Sequence, residues 1–139
     1  WLGQDLSGLS CLDLFAGAGG LGFEAASRGA RRVVMIDMAR PVLQALEANR
    51  KRLGGNAISV VAAEASDFVS RNTERFDLIF VDPPFASTLA AELLPHLSTH
   101  LTEGGRVYLE CAEVPDLTGW QIHRQGRAGK VQYLLLQKG

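Results

Sequence analysis

Four consecutive residues, Asp82-Pro83-Pro84-Phe85, carry the most specific chemistry in this chain. Proline fixes its own φ and has no backbone N–H, so two in succession hold the chain extended and remove two donors. The carbonyl oxygens left behind only accept hydrogen bonds. Beside them stand a carboxylate at Asp82 and a ring at Phe85 that can stack on a flat base. Such a set suits a planar group bearing an amine. Asp82 and the Pro83 carbonyl would each accept one N–H, localise the nitrogen lone pair and aim it at an electrophile. Orientation and stabilisation of the charge developing on nitrogen would supply the catalysis, without a metal or a covalent enzyme intermediate. Asp82, Pro83 and Phe85 are thus the candidate catalytic residues, and Pro84 and Phe85 the candidate contacts to the substrate ring.

A second constellation runs from Asp13 through Leu14, Phe15, Ala16, Gly17, Ala18, Gly19 and Gly20 to Gly22. The glycines allow a tight turn and a close approach of ligand to main chain, and a helix start presents unpaired N–H groups. Gly17, Gly19 and Gly22 satisfy the dinucleotide pattern G-x-G-x-x-G, which alone is weak evidence. The carboxylate at Asp13 is the discriminator. It would repel a pyrophosphate and suits a cationic amino-acid tail, and S-adenosylmethionine carries a sulfonium and an ammonium but no phosphate. Asp37 closes the next apolar run about 20 residues on, where a carboxylate holds a ribose diol. That role serves NAD and S-adenosylmethionine equally, and a charge favourable to a helix N-terminus is the plain alternative. Beyond a third apolar run come Ala63, Glu64, Ala65, Ser66 and Asp67. Ala65 is small enough for its N–H to reach an adenine ring nitrogen, and Glu64 could accept from the exocyclic amine. A solvated helix start capped by Asp67 explains the same residues.

These residues need a scaffold that brings strand ends together. Apolar runs recur at Ser10–Phe15, Arg32–Asp37, Ala57–Val61, Asp77–Asp82 and Arg106–Cys111, each rich in Val, Ile, Leu or Phe. Between them, Leu21–Arg28, Arg40–Leu53 and Leu89–Leu97 have helical spacing, with Pro41 at a first-turn position and Pro95 placed to break or bend its helix. Strands alternating with helices predict a doubly wound, Rossmann-like α/β fold with a mostly parallel sheet. Trp120–Arg124 and Val131–Gln137, separated by Gln125–Lys130 with Gly126 and Gly129 as turn residues, predict a C-terminal antiparallel hairpin and bring the sheet to seven strands.

Length and composition bound the rest. The chain has 139 residues, 47% of them hydrophobic and 21% charged, which fits one globular domain, and its net charge of -1 offers no overall attraction for nucleic acid. Cys11 and Cys111 sit in apolar runs and read as reduced thiols, and His96, His100 and His123 show no zinc-binding spacing. No metal is expected. Nor is a signal peptide or a membrane-spanning run evident, so a cytoplasmic protein without a membrane partner is expected, acting as a monomer.

With these segments in place, the chain resembles the bacterial 16S rRNA guanine-N2 methyltransferases of the RsmD type. The likeness covers Leu9 to Gln137, and its specific parts are Leu12-Asp13-Leu14-Phe15-Ala16-Gly17, the run from Phe76 to Phe85, and Ala128-Gly129-Lys130-Val131. That resemblance implies a class I methyltransferase fold and a guanine of ribosomal RNA, or of the small subunit, as target. S-adenosylmethionine would lie against Asp13, Phe15, Gly17, Gly19, Asp37, Met38, Glu64 and Ala65, and leave as S-adenosylhomocysteine. The target base would lie by Asp82–Phe85, with Arg127 and Lys130 as further substrate contacts. They belong to a run after Leu117 with four basic residues and no acid, for which a merely solvated hairpin is the plain alternative. Proteins of this kind carry an Arg-rich segment ahead of the catalytic domain, and Trp1-Leu2 reads as its tail. Residues 1–139 are accordingly expected to be the catalytic domain alone.

Three other readings bear on the same residues. An Asp-Pro-Pro-aromatic turn serves the N6 amine of adenine in DNA or RNA equally well, although Tyr is the usual ring there. An NAD-dependent oxidoreductase is opposed by Asp13 and the Asp82–Phe85 turn. A cofactor-binding module inactive without its N-terminal segment also fits.

Overall fold

The structure, a computed structural model, describes residues 5–17, 20–54, 56–84 and 88–139. Its elements follow the predicted alternation: β1 (Ser10–Asp13), α1 (Gly20–Ser27), β2 (Arg32–Asp37), α2 (Arg40–Leu53), β3 (Ile58–Ala62), α3 (Ala65–Arg71), β4 (Phe76–Val81), α4 (Leu89–Leu97), β5 (Leu101–Cys111), β6 (Trp120–Ala128) and β7 (Val131–Lys138). They form one seven-stranded sheet in the order β3-β2-β1-β4-β5-β7-β6. The first five strands are parallel, and β7 inserts antiparallel between β5 and β6. This is the doubly wound, mostly parallel sheet with a closing antiparallel hairpin that the patterning predicted.

Side chains alternate across the sheet, which is why the central strands are apolar at every position. Leu12, Val34, Ile36, Ile79, Val81, Val107 and Leu109 face one side and pack with Val69 of α3 and Leu93, Leu94 and Leu97 of α4. Cys11, Val33, Met35, Leu78, Phe80 and Tyr108 face the other and pack with Ala25 of α1 and Leu46 of α2. Asp77 pins the register at the opposite end from the strand tips. Its Oδ2 accepts from the Ser10 N–H at 2.8 Å and its Oδ1 from the Thr102 hydroxyl at 2.7 Å, joining β1, β4 and β5.

The structure corrects several boundaries. Strand β1 stops at Asp13, where the Leu14 N–H makes the closing bond of the ladder to the Phe80 carbonyl at 3.2 Å. Strand β5 begins at Leu101, ahead of the expected Arg106, since the fully buried Leu101 pairs with Phe76 before a bulge resets the register to Leu78 opposite Arg106. The hairpin turn is far tighter than expected. Ala128 pairs directly with Val131, leaving Gly129 and Lys130 as the two-residue turn, and Gly126 lies inside β6 opposite Tyr133. Exposed polar residues along β6 hid its extension from Arg124 to Ala128: an edge strand is not required to be apolar. Helix α4 continues through Pro95 to Leu97, and a short 3-10 turn, Ser98–His100, follows.

Candidate active site

In such a sheet the crevice outside the carboxyl ends of the strands, where strand order reverses, is the natural ligand site. Here the reversal falls between β1 and β4. Asp13 is the last residue of β1 and lies level with Phe80 of β4 and Met35 of β2. Asp37 ends β2, and Asp82 follows the last residue of β4. The fold therefore gathers three carboxylates that are distant in sequence onto three adjacent strand ends.

Asp13 is 1% exposed, and its Oδ1 accepts from the Phe15 N–H at 3.3 Å. Burial pushes its carboxyl up to about 7, against the stabilising Phe15 and Gly22 N–H groups, and the negative charges of Asp82 and Asp37 add to the rise. A buried carboxyl under that strain favours a cation, which would stabilise its ionised form.

Asp37 organises the glycine turn. Its Oδ2 accepts from the Gly17 N–H at 3.0 Å, and its Oδ1 accepts from the Ala39 N–H at 2.9 Å just before α2. Gly17 takes a positive φ of 51°, which a glycine adopts without a Cβ penalty. The Leu14 N–H bonds to β4 and the Ala16 N–H to the Ile36 carbonyl of β2 at 3.0 Å, so the turn is laced across the strand ends. Gly22, the last glycine of the pattern, has a packing reason. A Cβ there would lie 2.7 Å from Met35 Cε and 2.9 Å from Met35 Sδ, so any side chain at this position makes the buried Met35 thioether shift. Phe15 is half-buried against the core, whereas Met38 is 66% exposed beside Asp37. Gly19 lies outside the described residues.

At the end of β3, Glu64 caps α3, accepting from the Ser66 N–H at 2.7 Å and the Asp67 N–H at 3.4 Å. The cap is thus Glu64, and Asp67 lies in the first turn where its charge suits the helix dipole. Ala65 is buried as the first residue of that helix.

On the other side of the reversal, Asp82, Pro83 and Pro84 line a cavity of about 580 Å³ together with Glu110, Cys111 and Val131. Phe85 lies outside the described residues. Burial, followed by the charge of Glu110 and a hydrogen bond with it, raises the Asp82 carboxyl to about 6. Glu110 carries no motif and did not emerge from the sequence. The one usable signal is strand register: Val81 pairs with Leu109, so the next residues outward, Asp82 and Glu110, stand side by side. The Tyr108 hydroxyl, on the same face of β5, donates to Glu110 Oε1 at 2.9 Å. Burial and the Glu110 carboxylate push that phenol well above its ordinary range, so it stays a donor.

The hairpin turn comes to the same end of the sheet, because β7 runs antiparallel to β5 and begins beside its tip. Val131 enters the cavity wall, and the exposed Arg127 and Lys130 belong to the same hairpin; the Arg127 Nε donates to the Gly129 carbonyl at 3.1 Å. Cys11 and Cys111 are free thiols, and among the described residues no group of His, Cys, Asp and Glu is arranged to hold a metal ion. Among the described residues no helix is long and apolar enough to cross a membrane.

The same chain matches the model of one protein family, conserved hypothetical protein 95, over residues 1–137. It is 35% identical to ribosomal RNA small subunit methyltransferase D of Escherichia coli, over 99% of this chain and 73% of that protein. Against the protein of the same name in Haemophilus influenzae the identity is 32%, over 99% of this chain and 76% of that one. Among solved structures, an Escherichia coli chain described as a methyltransferase, yhhF, superposes with a TM-score of 0.89 at 35% identity, over 96% of this chain and 77% of that one.

Proposed function

The chain belongs to the conserved hypothetical protein 95 family and is a methyltransferase, and on that premise we propose that it methylates the exocyclic N2 of a guanine in 16S rRNA from S-adenosylmethionine. Carrying the reading is one observation: a carboxylate and two N–H-free prolines line a cavity at the strand reversal, and that carboxylate follows the strand paired with the buried Asp13, whose proton affinity its charge helps to raise.

S-adenosylmethionine, when bound, supplies an electrophilic methyl group on a cationic sulfonium. The residues present fit such a cation. Asp13 would receive the ammonium of its amino-acid tail, and the carboxylates at Asp37 and Asp82 add to a negative potential that a dinucleotide pyrophosphate would oppose. Asp37 would hold the ribose diol through the lone pairs that its bonds to the Gly17 and Ala39 N–H groups leave free. Phe15, Gly17, Gly19, Met38, Glu64 and Ala65 would complete that side, with Ala65 and Glu64 toward adenine. On the other side, Asp82 and the Pro83 carbonyl would each accept one N–H of the guanine amine, directing its lone pair. The nitrogen must shed a proton once alkylated, and Asp82, with its raised proton affinity, is suited to take it. Pro84 and Phe85 would support the base, and Arg127 and Lys130 the RNA backbone. The reaction belongs in the cytoplasm, where ribosomal subunits are made, and residues 1–139 form its catalytic domain.

Calorimetry and methyl-transfer assays test the assignment together. Asp82→Ala should abolish transfer to small ribosomal subunits while S-adenosylhomocysteine affinity stays within a few-fold. Equal loss of S-adenosylhomocysteine binding would make Asp82 a structural residue, and tight NAD binding without S-adenosylhomocysteine binding would overturn the reading as a whole.

A further inference from the structure

We propose that Glu110 is a specificity-determining residue: its carboxylate accepts the ring N1–H of the target guanine beside the amine held by Asp82, and so excludes adenine. The inference rests on the base-amine reading above and extends it to a residue on a different strand.

Glu110 lines the same cavity as Asp82, Pro83 and Pro84, one residue beyond the Val81–Leu109 pairing of β4 and β5. Residues at that level share a face of the sheet with Phe80 and Tyr108, so both carboxyls stand on the side to which Asp13 also belongs. Tyr108 holds Glu110 in place through the 2.9 Å bond to Oε1. The tyrosine is itself fixed: buried, edge-on to Phe80 at 6.0 Å and stacked with Tyr133 at 6.5 Å between ring centres. These rings belong to the core on that face of the sheet, so the Tyr108 hydroxyl is a fixed donor to Glu110.

The chemistry follows from the two base edges. Guanine presents adjacent donors, the N1–H and the N2 amine, whereas adenine sets an N1 lone pair next to its N6 amine. Two neighbouring carboxylates therefore match guanine donor for acceptor. Against adenine, Glu110 would face a lone pair with a lone pair, and a buried polar mismatch of this sort costs more than the hydrogen bond would contribute. Without a base, burial and the neighbouring Glu110 charge favour a proton on Asp82. Guanine would displace that proton and supply one N–H to each carboxylate. Its binding is then linked to proton release.

Methylation assays on small subunits assembled from rRNA transcripts carry the test, with guanine or adenine placed at the nucleotide that the wild-type chain modifies. Glu110→Gln keeps the shape but offers an amide N–H that can serve adenine N1. The guanine-to-adenine ratio of kcat/KM should fall at least tenfold, on the order of one base contact. The acid limb of the guanine profile, near pH 6 in the wild type, should move to lower pH as the Glu110 charge is lost. Tyr108→Phe, which frees Glu110 without removing it, should shift the ratio in the same direction by less. A Glu110→Gln chain that binds S-adenosylhomocysteine normally yet keeps the wild-type ratio, or shows no transfer to either base, would overturn the assignment. Should that chain fail to bind S-adenosylhomocysteine, an unchanged ratio in Tyr108→Phe would do so. Failure of the wild-type chain to methylate the guanine N2 amine at all would overturn the underlying function.

Discussion

Asp13 shows how a single buried group can be costly to the fold and useful to the ligand. Its carboxyl holds a proton up to about pH 7 in the folded chain but only to its ordinary 3.8 when unfolded. Between those values the folded state binds the extra proton, so the Asp13 contribution is most favourable below pH 4 and is lost as pH rises toward 7. The penalty that accumulates is roughly 4 kcal/mol. The unfolding temperature of the wild-type chain should therefore fall from pH 5 to pH 8. Asp13→Asn should flatten that dependence and unfold at a higher temperature at pH 8. The same substitution should weaken S-adenosylhomocysteine binding tenfold or more in calorimetry, because the ammonium loses its counter-charge. Identical pH curves for the two chains would contradict a raised Asp13 proton affinity.

At the scale of elements, the approach of α1 to β2 sets the position of the glycine turn. Gly22 lies in the first turn of α1, and alanine is ordinarily favoured over glycine in a helix by up to about 1 kcal/mol. The Cβ distances to Met35 reverse that expectation for anything branched. Gly22→Val should destabilise by roughly 2–3 kcal/mol in urea unfolding. Met35→Ala in the same chain should recover part of the loss, since the flexible thioether tip is what the branch meets. A double-mutant coupling near zero would show that α1 is held by other contacts. The sheet edges follow a different rule. Strand β6 is exposed along most of its length and is held by pairing with β7, so alternation of apolar residues ends before the strand does.

For the whole molecule, charge is distributed rather than abundant. The net charge is -1, the strand tips concentrate carboxylates, and the hairpin beside them carries the exposed Arg127 and Lys130. An RNA substrate would meet this local basic edge without any overall attraction. Arg127→Ala with Lys130→Ala should weaken small-subunit rRNA binding and lower the slope of log affinity against log salt by about one for each phosphate no longer neutralised. Affinity for S-adenosylhomocysteine should be unchanged. Filter binding across a salt series reads the slope and calorimetry the cofactor affinity, and an unaltered slope would reduce the two residues to solvated surface.

Periodicity and turn chemistry by themselves determined the layered α/β architecture, the seven strands and the two clusters of interest, since apolar five-residue runs, glycine turns and Asp-Pro-Pro are local properties of the chain. Asp13, Asp37 and Asp82 were legible for a related reason: Asp37 and Asp82 end apolar runs, and Asp13 stands just ahead of the glycine turn. Glu110 was not, nor were the two-residue turn at Gly129-Lys130 and the capping of α3 by Glu64. Whether a strand-end carboxylate meets a neighbour depends on register, and register is decided by packing between segments far apart in sequence. The chain supplied Asp82 with its prolines; only the pairing of β4 with β5 supplied the second carboxylate beside it.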